Sequence, residues 1–402
     1  MTSSPPSTKA RYIMIGGFLG AGKTTAVGRL AHSLTQQGLK VGLITNDQAS
    51  GLVDTKMLRS QGFATEEIAG GCFCCRFNTL MDAASRLTEE TRPDVFIAEP
   101  VGSCTDLVAT VTYPLRRMYG EDFTIAPLSV LVDPVRARRV LGLDQGGGFS
   151  SKVTYIFKKQ LEEADLIVIS KSDLLSEESR EELRQALAAE YPAATILAAS
   201  SREQTGLMPW FNEIMDGQQT ERDVMELDYD VYADGEAMLG WLNATITLSS
   251  ATEFDANAYL RALAEDIQSR LRKEEAEIAH LKMTFSPDEG LGGELASINL
   301  VRTDFVPELG MTLEEPATGG QLILNLRAEA MPEALVSAAS DALDHLAASF
   351  PDVKAVIDHE EHFQPGRPTP TYRDGVQVAG AANPCCTPEA RAFGLAAGKP
   401  CC

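Results

Sequence analysis

Long apolar runs are missing from this 402-residue chain, and no stretch of about 18 residues is apolar enough to form a membrane-spanning helix. Residues 1–9 are polar and rich in serine and proline, and they lack the charged segment and apolar core of a secretory signal. These absences predict a soluble, cytoplasmic protein that does not bind membranes.

Basic residues are scarce as well. The chain has 35 Lys and Arg against 57 Asp and Glu, which gives a formal net charge of −22. Proteins that bind nucleic acids need a basic surface that neutralises phosphates. We therefore do not expect nucleic acid among the partners of this protein.

Cysteine is rare over most of the chain, and all but one of its eight residues occur in clusters. A secreted, disulfide-stabilised protein would be short and would spread its cysteines. Adjacent cysteines also make strained disulfides. The clusters therefore indicate metal ligands or redox thiols in a reducing compartment. They comprise Cys72, Cys74 and Cys75, then a single Cys104, then Cys385, Cys386, Cys401 and Cys402 near the end.

The apolar pattern divides the chain into two domains. In the first half, Val- and Ile-rich runs alternate with amphipathic helices, which predicts a doubly wound, mostly parallel α/β sheet. The second half predicts a smaller α+β domain, followed by a flexible tail rich in Pro, Gly and Ala. The predicted boundaries are 1–217 for the α/β domain, 218–239 for an acidic linker, 240–363 for the α+β domain and 364–402 for the tail.

Ten strands are predicted, and the segments 286–292 and 307–320 are interpreted as loops. Residues 358–362, D-H-E-E-H, are interpreted as a solvated charged turn. The predicted strands are 11–15, 41–45, 94–98, 128–132, 165–169 and 194–198 in the first domain, and 242–248, 280–285, 295–302 and 321–328 in the second. The main predicted helices are 23–36, 177–189, 256–275 and 332–349.

A phosphate-binding motif follows the first predicted strand and opens the next helix. Residues 17–24 read G-F-L-G-A-G-K-T, which matches G-x-x-x-x-G-K-[ST] in full. Glycines let the backbone approach phosphates, and the helix N-terminus adds partial positive charge. We expect Lys23 to reach the β- and γ-phosphates and Thr24 to hold Mg²⁺. The predicted nucleotide-binding residues here are Gly17, Gly20, Ala21, Gly22, Lys23, Thr24 and Thr25.

Two further motifs follow in the order that a GTPase requires. Glu99 ends a predicted strand, where it can hold a Mg²⁺-bound water or orient the attacking water, and the Gly102 amide can meet the γ-phosphate. The S-K-S-D motif at 170–173 follows a later strand. The Asp173 carboxylate can accept hydrogen bonds from guanine N1–H and N2–H₂, a pair that adenine lacks. Lys171 can cover the plane of the base.

The most unusual motif is G-G-C-F-C-C at residues 70–75. Three thiols within four residues can converge on one soft or borderline metal ion, with a carboxylate or another thiol as a fourth ligand. The alternative is a buried cluster of small residues. Cys104 is interpreted as an isolated core or loop residue near the Glu99 turn.

Together these motifs resemble the CobW family of metallochaperone GTPases, which is related to the HypB, UreG and MeaB types. The resemblance covers roughly residues 11–207. The family usually has Asn where this chain has Ser170 and Glu where it has Asp47, and its long His-rich loop is missing here. The supporting residues are 16–25, Asn46-Asp47, 70–75, 99–102, Asp133 and the run K-Q-L-E-E-A-D at 159–165.

The resemblance implies hydrolysis of GTP to GDP with Mg²⁺, and Zn²⁺ or Co²⁺ bound at the thiolates, with nucleotide state controlling metal release. It implies a client metalloprotein or cobalamin-related enzyme as partner, with a homodimer as one option. The alternative is a nucleotide-bound metal sensor or storage protein with negligible turnover. The predicted catalytic residues are Lys23, Glu99 and Asp47. Thr24 and Glu99 are predicted to bind Mg²⁺. Asp47 is predicted to bind the transition metal in addition to its catalytic role, and Ser201 is predicted to bind the nucleotide.

The tail cysteines carry a separate hypothesis. Cys385, Cys386, Cys401 and Cys402 can form a tetrathiolate site or two vicinal pairs for a thiophilic ion. A flexible tail of this length can reach the Cys72 region. We therefore expect the tail to exchange metal with the internal thiols, the alternative being thiols without a specific role.

Overall fold

The computed structural model describes residues 9–46, 53–219, 223–288 and 294–374, which form two sheets. The first sheet has eight strands in the described residues, all paired in parallel. Its strands are β1 (Ala10–Gly17), β2 (Val41–Asn46), β3 (Ala64–Ile68), β4 (Val95–Glu99), β5 (Phe123–Ile125), β6 (Ser129–Val132), β7 (Leu166–Ile169) and β8 (Thr195–Ala198). The order is β3-β2-β4-β1-β6-β7-β8, with β5 beside β1.

Helices cover both faces of this sheet because alternate strand residues point to opposite sides. In β1, Tyr12 and Met14 enter one apolar core, and Ile13 and Ile15 enter the other. The helices are α1 (Lys23–Gln36), α2 (Val53–Ser60), α3 (Phe77–Glu90), α4 (Tyr113–Tyr119), α5 (Pro134–Val140), α6 (Ser151–Glu162), α7 (Glu177–Glu190), α8 (Leu207–Asp216) and α9 (Tyr229–Ala237). The predicted doubly wound parallel fold is confirmed.

The second sheet is antiparallel and has the order β12-β11-β10-β13-β9-β14. Helices α10 (Ala256–Lys273) and α11 (Pro332–Leu346) share its apolar core, which confirms the predicted α+β class. The strands are β9 (Leu239–Phe254), β10 (Glu277–Pro287), β11 (Ala296–Leu300), β12 (Glu308–Met311), β13 (Ala317–Glu329) and β14 (Val353–Phe363).

Several segments differ from the predictions. The segment 358–362 lies within the edge strand β14, so the predicted charged turn is wrong. An edge strand tolerates exposed charges, which hide its alternating pattern. The predicted loop 307–320 contains β12 and the start of β13. The segment assigned to a linker contains α9, which contacts α6. Strands β3 and β5 were not predicted.

The end of the described chain, residues 364–374, was assigned to the flexible tail, but it packs against the loop that carries the first cysteines. We call this segment the strap. The four tail cysteines lie outside the described residues. Among the described helices, none combines the length and apolar character needed to cross a membrane.

Candidate nucleotide and thiol sites

The predicted nucleotide-binding residues lie at the carboxyl edge of the parallel sheet. This is the edge where ligands bind in doubly wound folds, because loops from neighbouring strands meet there. β1 runs into the glycine-rich loop, β4 ends at Glu99, and β7 is followed by Ser170. Ser201 lies half-buried in the turn after β8. Asp47, which follows β2, lies outside the described residues.

The loop from Gly17 to Gly22 wraps back on itself before α1 begins. Gly17, Gly20 and Gly22 have φ angles of 130°, 79° and 88°, a left-handed region that favours glycine. Lys23 is buried, and its Nζ donates to the Gly17 carbonyl at 2.8 Å. The loop thus holds a cation beside the first turn of a helix, an arrangement that suits phosphate.

The turn after β4 packs directly on this loop. The Thr24 hydroxyl donates to Glu99 Oε1 at 2.8 Å, and both side chains are buried. A Cβ atom on Gly102 would lie 2.9 Å from the Leu19 backbone nitrogen, so only glycine fits there. The predicted magnesium residues and the predicted γ-phosphate residue therefore lie together, whereas the Thr25 side chain is exposed.

The S-K-S-D motif reaches the same loop from β7. Lys171 Nζ donates to the Gly20 carbonyl at 2.7 Å, and the Ser170 hydroxyl lies 2.7 Å from the Ala21 carbonyl. Ser170 therefore braces the loop despite replacing the family's Asn. Asp173 Oδ1 is buried and has no hydrogen-bond partner among the described residues. A buried acceptor without a donor is costly, and the N–H groups of guanine would satisfy it.

The second sheet closes over the glycine-rich loop. A Cβ on Gly20 would lie 2.8 Å from the Ala279 carbonyl of β10. The buried carboxylate of Asp133 accepts from Lys171 Nζ and from Arg302 Nη1, both at 3.0 Å. Asn325 Oδ1 accepts from the Val53 N–H at 3.1 Å, so β13 contacts the first residue of α2.

Cys72, Cys74 and Cys75 converge in the loop between β3 and α3. Their Sγ atoms are separated by 2.7 Å (Cys72–Cys74), 3.0 Å (Cys72–Cys75) and 3.6 Å (Cys74–Cys75). Asn46, at the end of β2, donates to the Gly71 carbonyl at 2.6 Å and thereby holds the start of the loop. Three sulfur atoms this close can share one transition-metal ion.

Cys104 is buried in the same apolar core as Cys72 and Cys74, although the sequence suggested an isolated residue. Cys72, Cys74 and Cys104 are 5%, 1% and 1% exposed, but the described sulfur atoms that lie within 4.8 Å of one another are those of Cys72, Cys74 and Cys75. Interactions with the Cys72 and Cys74 thiols lower the pKa of Cys104, whereas the hydrogen bond with Cys72 raises the pKa of Cys75 to about 11. No sequence motif signals this shared burial, because Cys104 follows a different strand.

The strap covers the exposed side of the thiol loop. The Thr369 N–H donates to Cys75 Sγ at 3.3 Å, and Thr371 donates to the Cys74 and Cys75 carbonyls at 2.8 and 3.0 Å. Arg373 pairs with the buried Asp106 carboxylate at 2.7 Å. Cys75, the half-buried thiol of the loop, is therefore shielded by main-chain contacts from the far end of the described chain.

Loosening the strap should expose Cys75. In the metal-free protein we expect Arg373→Ala to accelerate Cys75 alkylation about tenfold or more, because a hydrogen-bonded charge pair contributes roughly 1.5–3 kcal/mol. The rate is read by iodoacetamide labelling and peptide mass spectrometry. Arg367→Ala is the matched control, since its ion pair with Asp230 is exposed and worth little. Equal labelling rates in both variants would contradict a covering role.

Comparison with known proteins identifies relatives that match less than half of this chain. The zinc chaperone YeiR of Escherichia coli K12 is 30% identical over 179 residues, covering 44% of this chain and 50% of YeiR. The zinc chaperone CobW of a Sinorhizobium species is 32% identical over 186 residues, covering 40% of this chain and 51% of that protein. The chain thus spans about half the length of these curated relatives.

Solved structures match with low identity. The zinc-bound YjiA GTPase of Escherichia coli is 16% identical, with 83% of this chain and 99% of YjiA covered and a TM-score of 0.37. HypB of Helicobacter pylori in complex with nickel is 19% identical, with 53% and 92% covered and a TM-score of 0.39. Residues 11–198 match the protein-family model described as CobW/HypB/UreG, nucleotide-binding domain. The resemblance predicted from the motifs is therefore confirmed for residues 11–198, which match the nucleotide-binding domain of the CobW/HypB/UreG family.

Proposed function

We propose that this protein is a GTP-hydrolysing metallochaperone that holds Zn²⁺ or Co²⁺ on Cys72, Cys74 and Cys75 and delivers it to a client protein. The observation that carries the proposal is the meeting of two sites at one sheet edge. The turn after β4 packs on the glycine-rich loop at Gly102, and Cys104, two residues later, is buried in the same apolar core as Cys72 and Cys74. A movement of this turn therefore acts on the glycine-rich loop and on the core beside the thiol loop.

In the proposed GTP site, phosphate oxygens replace the Gly17 carbonyl as acceptors for Lys23. Thr24 and Glu99 would hold Mg²⁺, which would neutralise negative charge on the phosphates. Glu99 or Asp47 orients the attacking water, and Gly102 meets the γ-phosphate. Asp173 and Lys171 select and cover guanine. The remaining proposed nucleotide contacts are Gly17, Gly20, Ala21, Gly22, Thr25 and Ser201.

The proposed cargo site follows from the donor atoms. Thiolates favour Zn²⁺ and other soft or borderline ions over Mg²⁺, which prefers oxygen. Asp47 and the tail residues Cys385, Cys386, Cys401 and Cys402 remain proposed additional ligands. YeiR and the Sinorhizobium protein are named zinc chaperones, which supports zinc as the cargo. The client is proposed to be a metalloprotein or a cobalamin-related enzyme in the cytoplasm, and the protein itself is proposed to form a homodimer.

A hydrolysis assay with and without Zn²⁺ or Co²⁺ tests the proposal. Wild-type protein should release phosphate from GTP at a rate that changes with metal. Lys23→Ala should lower turnover roughly a hundredfold or more, because it removes a preorganised cation from the transition state. The triple variant Cys72→Ser, Cys74→Ser, Cys75→Ser should keep basal turnover and lose the response to metal.

The variants also separate the two candidate functions. Tight GTP binding without turnover, in the presence of stoichiometric bound zinc, would identify a sensor or storage protein. A metal response that survives in the triple cysteine variant would show that the response does not come from the thiol loop.

A further inference from the structure

We propose that the strap is a gate over the metal-binding thiols, and that GTP opens it by moving the turn after β4, to which the strap is fastened. This inference deepens the proposed function and rests on it for the metal ion and for GTP. It concerns the described residues 364–374, and it assigns to them the control of metal entry and release.

The first argument is the position of the strap on the thiol loop. The Thr369 N–H reaches Cys75 Sγ, and Thr371 hydrogen-bonds to the carbonyls of Cys74 and Cys75. The ring of Tyr372 packs edge-on against the first aromatic ring of α3, with 5.3 Å between the ring centroids. Cys75 is the least buried thiol of this loop. The strap therefore covers the side of the cluster from which an ion would enter.

The second argument is the place where the strap is fastened. Arg373 Nε donates to the Asp106 carboxylate at 2.7 Å, and the Tyr229 hydroxyl donates to the same carboxylate at 2.6 Å. The Asp374 N–H donates to the Ala109 carbonyl at 2.9 Å. Asp106 is 1% exposed, so the loss of Arg373 would leave a buried charge poorly compensated. The pair of Arg373 with Asp106 is therefore a latch, which joins the strap to the end of the turn after β4.

The third argument is the short connection from the latch to the nucleotide side. Asp106 ends the turn after β4, and Gly102, four residues earlier, packs against Leu19 of the glycine-rich loop. Asp106 has a φ angle of 67°, in the left-handed region that residues other than glycine seldom occupy. A cavity of about 180 Å³ borders Asp106 and Ala109, so the latch has space to move into. A movement of Gly102 towards a γ-phosphate is therefore transmitted to Asp106 and draws it away from Arg373.

Hydrogen exchange of the full-length, metal-free protein tests the latch without using hydrolysis. The Thr371 and Asp374 N–H groups donate to carbonyls, so they should exchange slowly in the nucleotide-free parent. A non-hydrolysable GTP analogue should accelerate their exchange about tenfold or more, because it breaks a charge-assisted contact. GDP lacks the γ-phosphate and should leave the rate unchanged. Arg373→Ala should exchange rapidly in all three states. Mass spectrometry of the strap peptide measures these rates.

Zinc transfer from the loaded protein to a chelator tests the gate. In the parent, the GTP analogue should accelerate transfer about tenfold or more, and Arg373→Ala should transfer zinc rapidly with or without nucleotide. Arg367→Ala is the matched control, because it also removes an arginine from the strap but breaks only an exposed ion pair with Asp230. The control should keep the slow rate and its response to the analogue. All three proteins carry serine in place of the tail cysteines, so that the ion comes from the thiol loop: Cys385, Cys386, Cys401 and Cys402.

Strap amides that exchange equally fast with GDP and with the GTP analogue would overturn the inference even if the variants fold poorly, because this comparison uses the parent alone. Equal zinc transfer from Arg373→Ala and Arg367→Ala would overturn the gate. Either result would leave the proposed function standing if metal still changes the rate of GTP hydrolysis. A parent that binds no zinc, although the analogue opens its strap, would overturn the proposed function and support the nucleotide-driven opening.

Discussion

Asp173→Asn is expected to weaken GTP binding roughly a hundredfold or more, because the variant loses two charge-assisted hydrogen bonds to guanine, each worth roughly 1.5–3 kcal/mol. The amide of Asn can instead donate to the extra oxygen at C2 of xanthine. We therefore expect the variant to gain affinity for xanthosine triphosphate. The fold should be little affected, because Asp173 Oδ1 has no hydrogen-bond partner among the described residues and Oδ2 makes only a 4.0 Å ion pair with the exposed Arg202.

Calorimetry with GTP, ATP and xanthosine triphosphate measures this change. Glu178→Gln is the matched control, since it removes one negative charge from the exposed start of α7 without touching the S-K-S-D motif. The control should bind GTP as the parent does. A variant Asp173→Asn that binds GTP as tightly as the parent, or a parent that prefers ATP, would contradict the assigned base site.

Asp133→Asn is expected to destabilise the protein by about 3–5 kcal/mol, the usual cost of removing one partner from a buried ion pair. Asp133 is buried and its carboxylate accepts from the Arg136 N–H, from Arg302 and from Lys171. Asn would leave the buried Arg302 guanidinium with only the partly exposed Asp304 as a counter-charge. Since Arg302 follows β11, the variant should also loosen the contact between the two sheets.

The same carboxylate predicts the direction of a pH effect. Burial alone would raise the pKa of Asp133, but Lys171, Arg302 and Arg136 outweigh it and lower the pKa to about 2. Because the pKa of Asp133 is lowered in the folded state, its carboxylate contributes its full stabilisation above about pH 4, the ordinary pKa of Asp. This stabilisation is lost as the pH falls towards 2. We expect this acid-dependent loss in the parent and a smaller one in Asp133→Asn.

Urea unfolding at several pH values measures both effects. Asp144→Asn is the control, because its pair with Arg138 is partly exposed and should contribute less. If Asp133→Asn costs no more than Asp144→Asn, the buried network does not join the sheets as described.

The parallel sheet was predictable because its strands are buried on both faces and read as continuous apolar runs. β7, with the sequence L-I-V-I, is such a strand. β3, with the sequence A-T-E-E-I, is half-polar and lies at the end of the sheet, so the same rule missed it. β14 was missed for a similar reason, since its charged residues lie at the other sheet's edge.

The local motifs were also predictable, but contacts between distant segments were not. The glycine-rich loop and the three clustered cysteines each lie within a few residues of sequence. The burial of Cys104 in the same core as Cys72 depends on the direction of the turn after β4. Each sheet was predictable by itself, but the way in which the two sheets meet was not. Arg302 pairs with Asp133, and β10 packs over Gly20, only because of that arrangement.

The contact between Thr369 and Cys75 has a consequence for newly made chains. The two residues are 294 positions apart, and ribosomes add roughly 5–20 residues per second. Cys75 therefore emerges roughly 15–60 s before the segment that shields it. We expect the nascent chain to offer its sulfur atoms to ions or maturation factors during this interval, so that the site can be filled before the cover arrives.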